Sequence, residues 1–151
     1  MKLKNIILII VVITVIFTVF SCGKDAGNTA KTFVEKMYKG DEKACVNLMS
    51  DLYIDEYYET KKLCINSWKN ELDNLIEEYK DEYGDNWKVK VKLIDTIDRS
   101  EDYEEYGVQV AEAILEVTHK GKVWFTEKTD TEELSVWLIK ENGKWKLFDI
   151  Y

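Results

Sequence analysis

At 151 residues the chain has room for one domain and little more. Its 29 acidic residues outweigh 21 basic ones, for a net charge of −8. The basic footprint of a nucleic-acid partner is missing, and the charge averaged over the chain disfavours adhesion to anionic lipid headgroups.

Lys2 and Lys4 precede a run from Ile6 to Phe20 that carries no charge and only two polar interruptions, Thr14 and Thr18. A membrane-spanning helix needs roughly 20 apolar residues, whereas a secretory signal needs about 7–15. Ser21 and Cys22 follow directly. The residues Val19-Phe20-Ser21-Cys22 resemble the lipobox of bacterial lipoproteins. That resemblance implies cleavage after Ser21, a diacylglyceryl group on the Cys22 sulfur, and a membrane partner held through that lipid. The expected organisation is a signal peptide over residues 1–21, a lipidated tether over 22–28 and one domain over 29–151, at the outer face of the membrane. Gly23–Asn28 is polar and glycine-containing, the composition of a flexible tether. Loss of Lys2 and Lys4 would leave 19 basic against 29 acidic residues, a net of −10.

From Thr29 the apolar spacing is helical. Ala30, Phe33, Val34, Met37 and Tyr38 form one stripe, with Asn28 or Thr29 as the expected cap and Gly40 as the expected end. Asp41 is placed to cap a second short helix with the stripe Ala44, Cys45, Leu48, Met49 and Leu52. A third helix is expected from about Thr60 to Tyr83, buried through Cys64, Ile65, Trp68, Leu72, Leu75, Ile76 and Tyr79 and ended by Gly84.

Beyond Gly84 the period drops to two. Trp87, Val89, Val91 and Leu93 alternate with Lys88, Lys90 and Lys92. A second strand is expected over about Tyr106 to His119, with a β-bulge between Val110 and Ala111 where the apolar phase slips. Lys120-Gly121 reads as a turn into a third strand, Lys122 to Lys128, and a fourth covers Glu133 to Lys140. Asn142-Gly143 is the hairpin dipeptide par excellence and leads into Trp145–Tyr151. The chain contains no proline to interrupt a strand. Helices followed by strands predict an α+β domain, three N-terminal helices packed on a curved, mostly antiparallel sheet.

The pairing of Ala30-Lys31-Thr32-Phe33-Val34 and Gly40-Asp41 with the ending Val136–Leu147 resembles the nuclear transport factor 2-like superfamily. Its SnoaL-like proteins and ketosteroid isomerases share a cone-shaped fold, and the likeness is to small lipoproteins of that group. The resemblance implies a cone and carries over no catalytic residue.

Cys45 and Cys64 form an even pair in a domain expected outside the cytoplasm, so they are a possible disulfide, with two buried free thiols as the alternative. Two cysteines and one distant histidine fall short of a zinc set, and no metal or other cofactor is expected. The acidic loop Asp98–Glu105 fails the calcium-loop pattern, since Tyr103 stands at the glycine position and Gln109 at the bidentate glutamate. His119 is the only histidine, but Glu112 and Glu116 lie at odd separations from it and so on the opposite strand face. For an isomerase-like cone the candidate carboxylates are Glu112 and Asp149, with Tyr57, Tyr58 or Tyr106 as donors. Ser50, Ser67, Ser100 and Ser135 lack a nucleophile-elbow pattern. Trp124, Trp137 and His119 are candidates to line a ligand-binding surface. No group of residues joins a base, an orienting partner and a positioned donor, so a non-catalytic module for a small ligand or an envelope protein is the leading expectation. A cone enzyme and an acidic module that captures cationic peptides are the alternatives.

Overall fold

A computed structural model describes residues 25–151. The signal-like run and Cys22 lie outside the described residues. Among the described residues no helix is long and apolar enough to cross a membrane.

Helix α1 covers 25–37, so it starts no later than Asp25. Asn28 and Thr29 are therefore inside the helix and not at its cap, and 25–28, expected as tether, are helical. The Thr29 and Thr32 hydroxyls donate back to the Asp25 and Asn28 carbonyls at 2.9 and 2.8 Å, which satisfies them within the helix. Ala26, Ala30, Phe33 and Val34 are fully buried along one stripe.

Asp41 caps α2 (Glu42–Leu48) as expected, accepting from the Ala44 amide at 3.1 Å. The stripe then breaks, because Met49 bridges to Leu147 and the Ser50 amide donates to the Leu147 carbonyl at 2.7 Å. Docking on the last strand thus splits the expected second helix. A separate α3 (Asp51–Tyr57) starts at Ser50, whose buried hydroxyl accepts from Tyr53 N. Leu52, assigned to the stripe by spacing, is 56% exposed. The long helix α4 (Lys61–Tyr83) matches expectation, with Thr60 capping its start and Gly84 at φ 87 ending it.

Four antiparallel strands follow in the order β1-β2-β3-β4: β1 (Lys88–Asp98), β2 (Val110–Val123), β3 (Thr126–Glu141) and β4 (Lys144–Ile150). The fold is α+β, helices followed by a curved, unclosed sheet, consistent with a cone. Sequence spacing counted one strand too many. Lys120-Gly121 does not turn; β2 runs through it to Val123, and Trp124-Phe125 makes the turn. Gly121 is in the strand because α4 ends against it: a Cβ there would lie 2.0 Å from the Tyr83 carbonyl oxygen. The bulges are not in β2 either. One leaves Ile94 of β1 unpaired between Leu93 and Asp95, and the other leaves Phe148 of β4 unpaired between Leu147 and Asp149. Of the segment read as the start of β2, Tyr106 closes a 3-10 helix, Ser100–Tyr106, formed by the acidic loop, and the strand begins only at Val110. The Asn142-Gly143 hairpin forms as expected, with both residues at positive φ.

Between helices and sheet lies the core, whose largest fully buried side chains are Phe33, Met49, Leu115, Leu138 and Leu147. Phe33 meets Trp68 edge-on at 5.6 Å. Cys45 and Cys64 are free, buried thiols and not a disulfide. The Cys45 sulfur points at the Phe33 carbonyl, at 3.9 Å, and the Cys64 sulfur at that of Met49, at 3.8 Å. Each serves as a small core hydrophobe.

Candidate functional site

Strand β2 sends Ala111, Ala113, Leu115, Val117 and His119 toward the helices and Glu112, Ile114, Glu116 and Thr118 to the outer face. Glu112 is nevertheless buried, at the floor of a pocket of about 460 Å³ on that outer face. Tyr103 of the 3-10 helix, Ser135 and Trp137 of β3, and Phe148, Asp149 and Tyr151 at the chain end line it. The bulge in β4 is what brings Phe148 and Asp149 to one side. Without it, successive residues would alternate faces.

One Glu112 oxygen accepts from Arg99 Nε and Nη2 at 2.8 and 2.5 Å, and the other from the Ser135 hydroxyl at 2.7 Å. The Ser135 hydrogen bond and the Arg99 guanidinium together hold its pKa below the usual carboxylate value, against the opposing effect of burial. The same guanidinium lies over the Trp137 ring, 5.8 Å from its centroid, and Tyr103 meets Trp137 edge-on at 6.4 Å. Asp149 accepts from the Ile150 amide at 2.8 Å and from the Tyr151 hydroxyl at 2.7 Å. That hydrogen bond raises the Tyr151 pKa. The site is thus two carboxylates and one guanidinium among four aromatic rings. Glu112, a committed anion with three donors, is tuned away from general-base work near neutral pH.

The sequence candidates scatter. Glu112 and Asp149 do come together, but outside the cone and not within it. Tyr57 and Tyr106 are exposed and Tyr58 packs near Tyr53, while Tyr103 and Tyr151 line the pocket instead. Trp137 is in the pocket, Trp124 is at the β2–β3 tip and His119 is on the other face, so the three share no surface. From Glu112, opposite Trp137, to the tip is eleven residues of strand, roughly 35 Å.

His119 is 2% exposed and fully engaged. Trp87 Nε1 reaches its Nδ1 at 3.3 Å, and Glu132 Oε1 lies 2.9 Å from its Nε2. An indole nitrogen can only donate, so Nδ1 accepts and the ring proton sits on Nε2, toward Glu132. Tyr38 also donates to Glu132 at 2.9 Å, and Tyr79 stacks on the imidazole at 4.4 Å. Burial, with Glu132 and Tyr79 beside it, raises the Tyr38 pKa well above the ordinary phenol value. This is a satisfied core histidine. Sequence reading missed its partner Glu132, although Glu132 pairs with Val117, two residues from His119 and on the same face.

Among the described residues no three His, Cys, Asp or Glu side chains gather as a metal set. No known protein-family pattern matches the chain, and no curated protein matches it.

Proposed function

We propose that the chain is an extracytoplasmic lipoprotein, anchored through Cys22, whose domain is a non-catalytic binding module related to the nuclear transport factor 2-like proteins. The pocket over Glu112 is the binding site, and its ligand is a small molecule or a side chain of an envelope protein. The observation that carries the reading is the Glu112 clamp. A carboxylate tied to Arg99 and Ser135 organises a rigid floor, and the aromatic walls offer contact area in the usual manner of small-ligand sites. Two carboxylates against one guanidinium favour a ligand with a positive group, which Trp137 and Tyr103 can face.

The test is purification of the full chain from membranes, mass analysis of its N-terminal peptide and of released small molecules, and a thermal-shift screen. The expected results are a diacylglyceryl mass on Cys22 and a stabilising cationic ligand whose effect is lost in Trp137→Leu and Asp149→Asn. A ligand recovered chemically altered, with the alteration abolished in Glu112→Gln, would replace this reading with the enzymatic one.

A further inference from the structure

The β2–β3 hairpin turns through two residues, Trp124 and Phe125. Trp124 has a φ of 58, which a bulky side chain adopts at a cost, and glycine and asparagine are the usual choices for such turns. Neither ring contributes to the core, since Trp124 is 89% and Phe125 92% exposed. Folding therefore gains little from either ring and loses something at the Trp124 backbone.

Lysines line the sheet face that leads to this tip. By register Lys88, Lys90 and Lys92 of β1 share the outer sheet face with Lys120 and Lys122 of β2. Among the described residues only Lys92 of these five is ion-paired, with Glu116 at 3.5 Å, and Glu127 stands opposite Lys122 in the register. A chain of net charge −8 thus carries a row of five lysines on one sheet face. Strand β1 is a sheet edge, and its bulge leaves Ile94 46% exposed there. Helix α1 starts beside the same strand, since a Cβ on Gly27 would lie 2.5 Å from Thr96 Oγ1.

We propose that the β1 edge and the β2–β3 tip form a surface that seats on an anionic lipid bilayer, with Trp124 and Phe125 in the headgroup layer and the lysines over the phosphates. Indole and phenyl rings beside lysines suit that depth, where an apolar body and a polar tip both find partners. The lysines act on anionic headgroups over about one Debye length, roughly 8 Å at physiological ionic strength. A soluble polyanion would use the lysines and leave both rings in water. An apolar protein groove would use the rings and leave the lysines idle. The acidic residues nearest the tip are in part engaged, Glu82 and Asp130 with Lys128, while Lys88, Lys90, Lys120 and Lys122 have no ion-pair partner among the described residues. The proposal stands without a lipid on Cys22. With one, the three-residue step from Cys22 to Asp25 spans at most about 11 Å, which puts the anchor near the Thr96 end of the β1 edge, roughly 35 Å of strand from Trp124.

The test uses the full chain in vesicles of phosphatidylcholine with roughly one-third phosphatidylglycerol, some of it brominated in the acyl chains. Emission of the wild type minus that of Trp124→Asn isolates Trp124, and asparagine tolerates the positive φ, so the variant keeps its turn. Circular dichroism checks its fold. Bromine is expected to quench this difference emission several-fold more than in phosphatidylcholine alone, and Lys120→Gln with Lys122→Gln to remove most of that excess. Quenching by aqueous iodide with none by bromine overturns the proposal, and so does bromine quenching that is indifferent to both anionic lipid and the lysines. The N-terminal mass from the same sample separates the two readings. A bare Cys22 with quenched Trp124 removes the anchor alone, and a lipidated Cys22 with unquenched Trp124 removes this surface alone.

Discussion

Gly121→Ala tests how helix α4 is seated on the sheet. The added Cβ would lie 2.0 Å from the Tyr83 carbonyl oxygen, 2.7 Å from the Tyr83 Cβ and 2.8 Å from its carbonyl carbon. The oxygen and carbonyl carbon are backbone atoms, which cannot rotate aside as a flexible side chain would. Overpacking of this kind costs about 1–3 kcal/mol, and the backbone obstruction places it at the upper end. Alanine recovers about 0.4–1 kcal/mol through the unfolded chain. The net loss is about 2 kcal/mol, a Tm drop of roughly 4–8 °C for a chain of this size. Gly143→Ala is the matched control, since nothing lies within 4 Å of its Cβ and only its φ of 77 is strained. The left-handed penalty less the same recovery gives a loss of about 1 kcal/mol or less. Urea and thermal melts of both variants measure the difference. Near-UV circular dichroism should change in Gly121→Ala alone, because displacing Tyr83 disturbs its stack on Tyr79 at 5.9 Å and that of Tyr79 on His119. Equal losses, or a Gly121→Ala loss below about 0.5 kcal/mol, would refute the contact as the reason for the glycine.

Glu112 has a lowered folded pKa, so the stability it contributes is complete above the unfolded carboxylate value and is lost as pH falls through the folded one. Urea melts of Glu112→Gln across acid pH should be flatter than those of the wild type, with the variant less stable at neutral pH. Burial pushes the Cys45 thiol up to about 12 and raises that of Cys64, so neither should react with a thiol reagent until the protein is denatured. Burial also pushes Tyr53 and Tyr83 up to about 12, with the Asp130 hydrogen bond adding to it at Tyr83. A phenolate titration at alkaline pH should show ionisation delayed beyond the ordinary value of 10. The stability these two phenols contribute is whole below that value and lost as pH rises through 12.

Periodicity carried much of the architecture. The stripes of α1 and α4, the alternation of Val89, Val91 and Leu93 against lysines, and the cap Asp41 are local properties, and each forms as the spacing requires. Asn142-Gly143 forms its hairpin because its turn chemistry is complete within two residues. What remained depends on contacts between distant segments. Met49 leaves its helix because Leu147, far along the chain, offers a bridge, and no local preference signals that. Gly121 reads as a turn until α4 is packed against it, and the real turn uses Trp124 and Phe125, which no turn rule selects. The candidate site lay half in view. Glu112 and Asp149 stood out as carboxylates, but the bulge at Phe148 and the reach of Arg99 are products of strand register. The amino-acid order by itself determined which stretches carry a helical or a strand period, through burial patterns and caps that act within a turn or two. Tertiary structure alone decided which faces those elements show each other, because register, bulges and ion pairs are settled only when strands and helices meet.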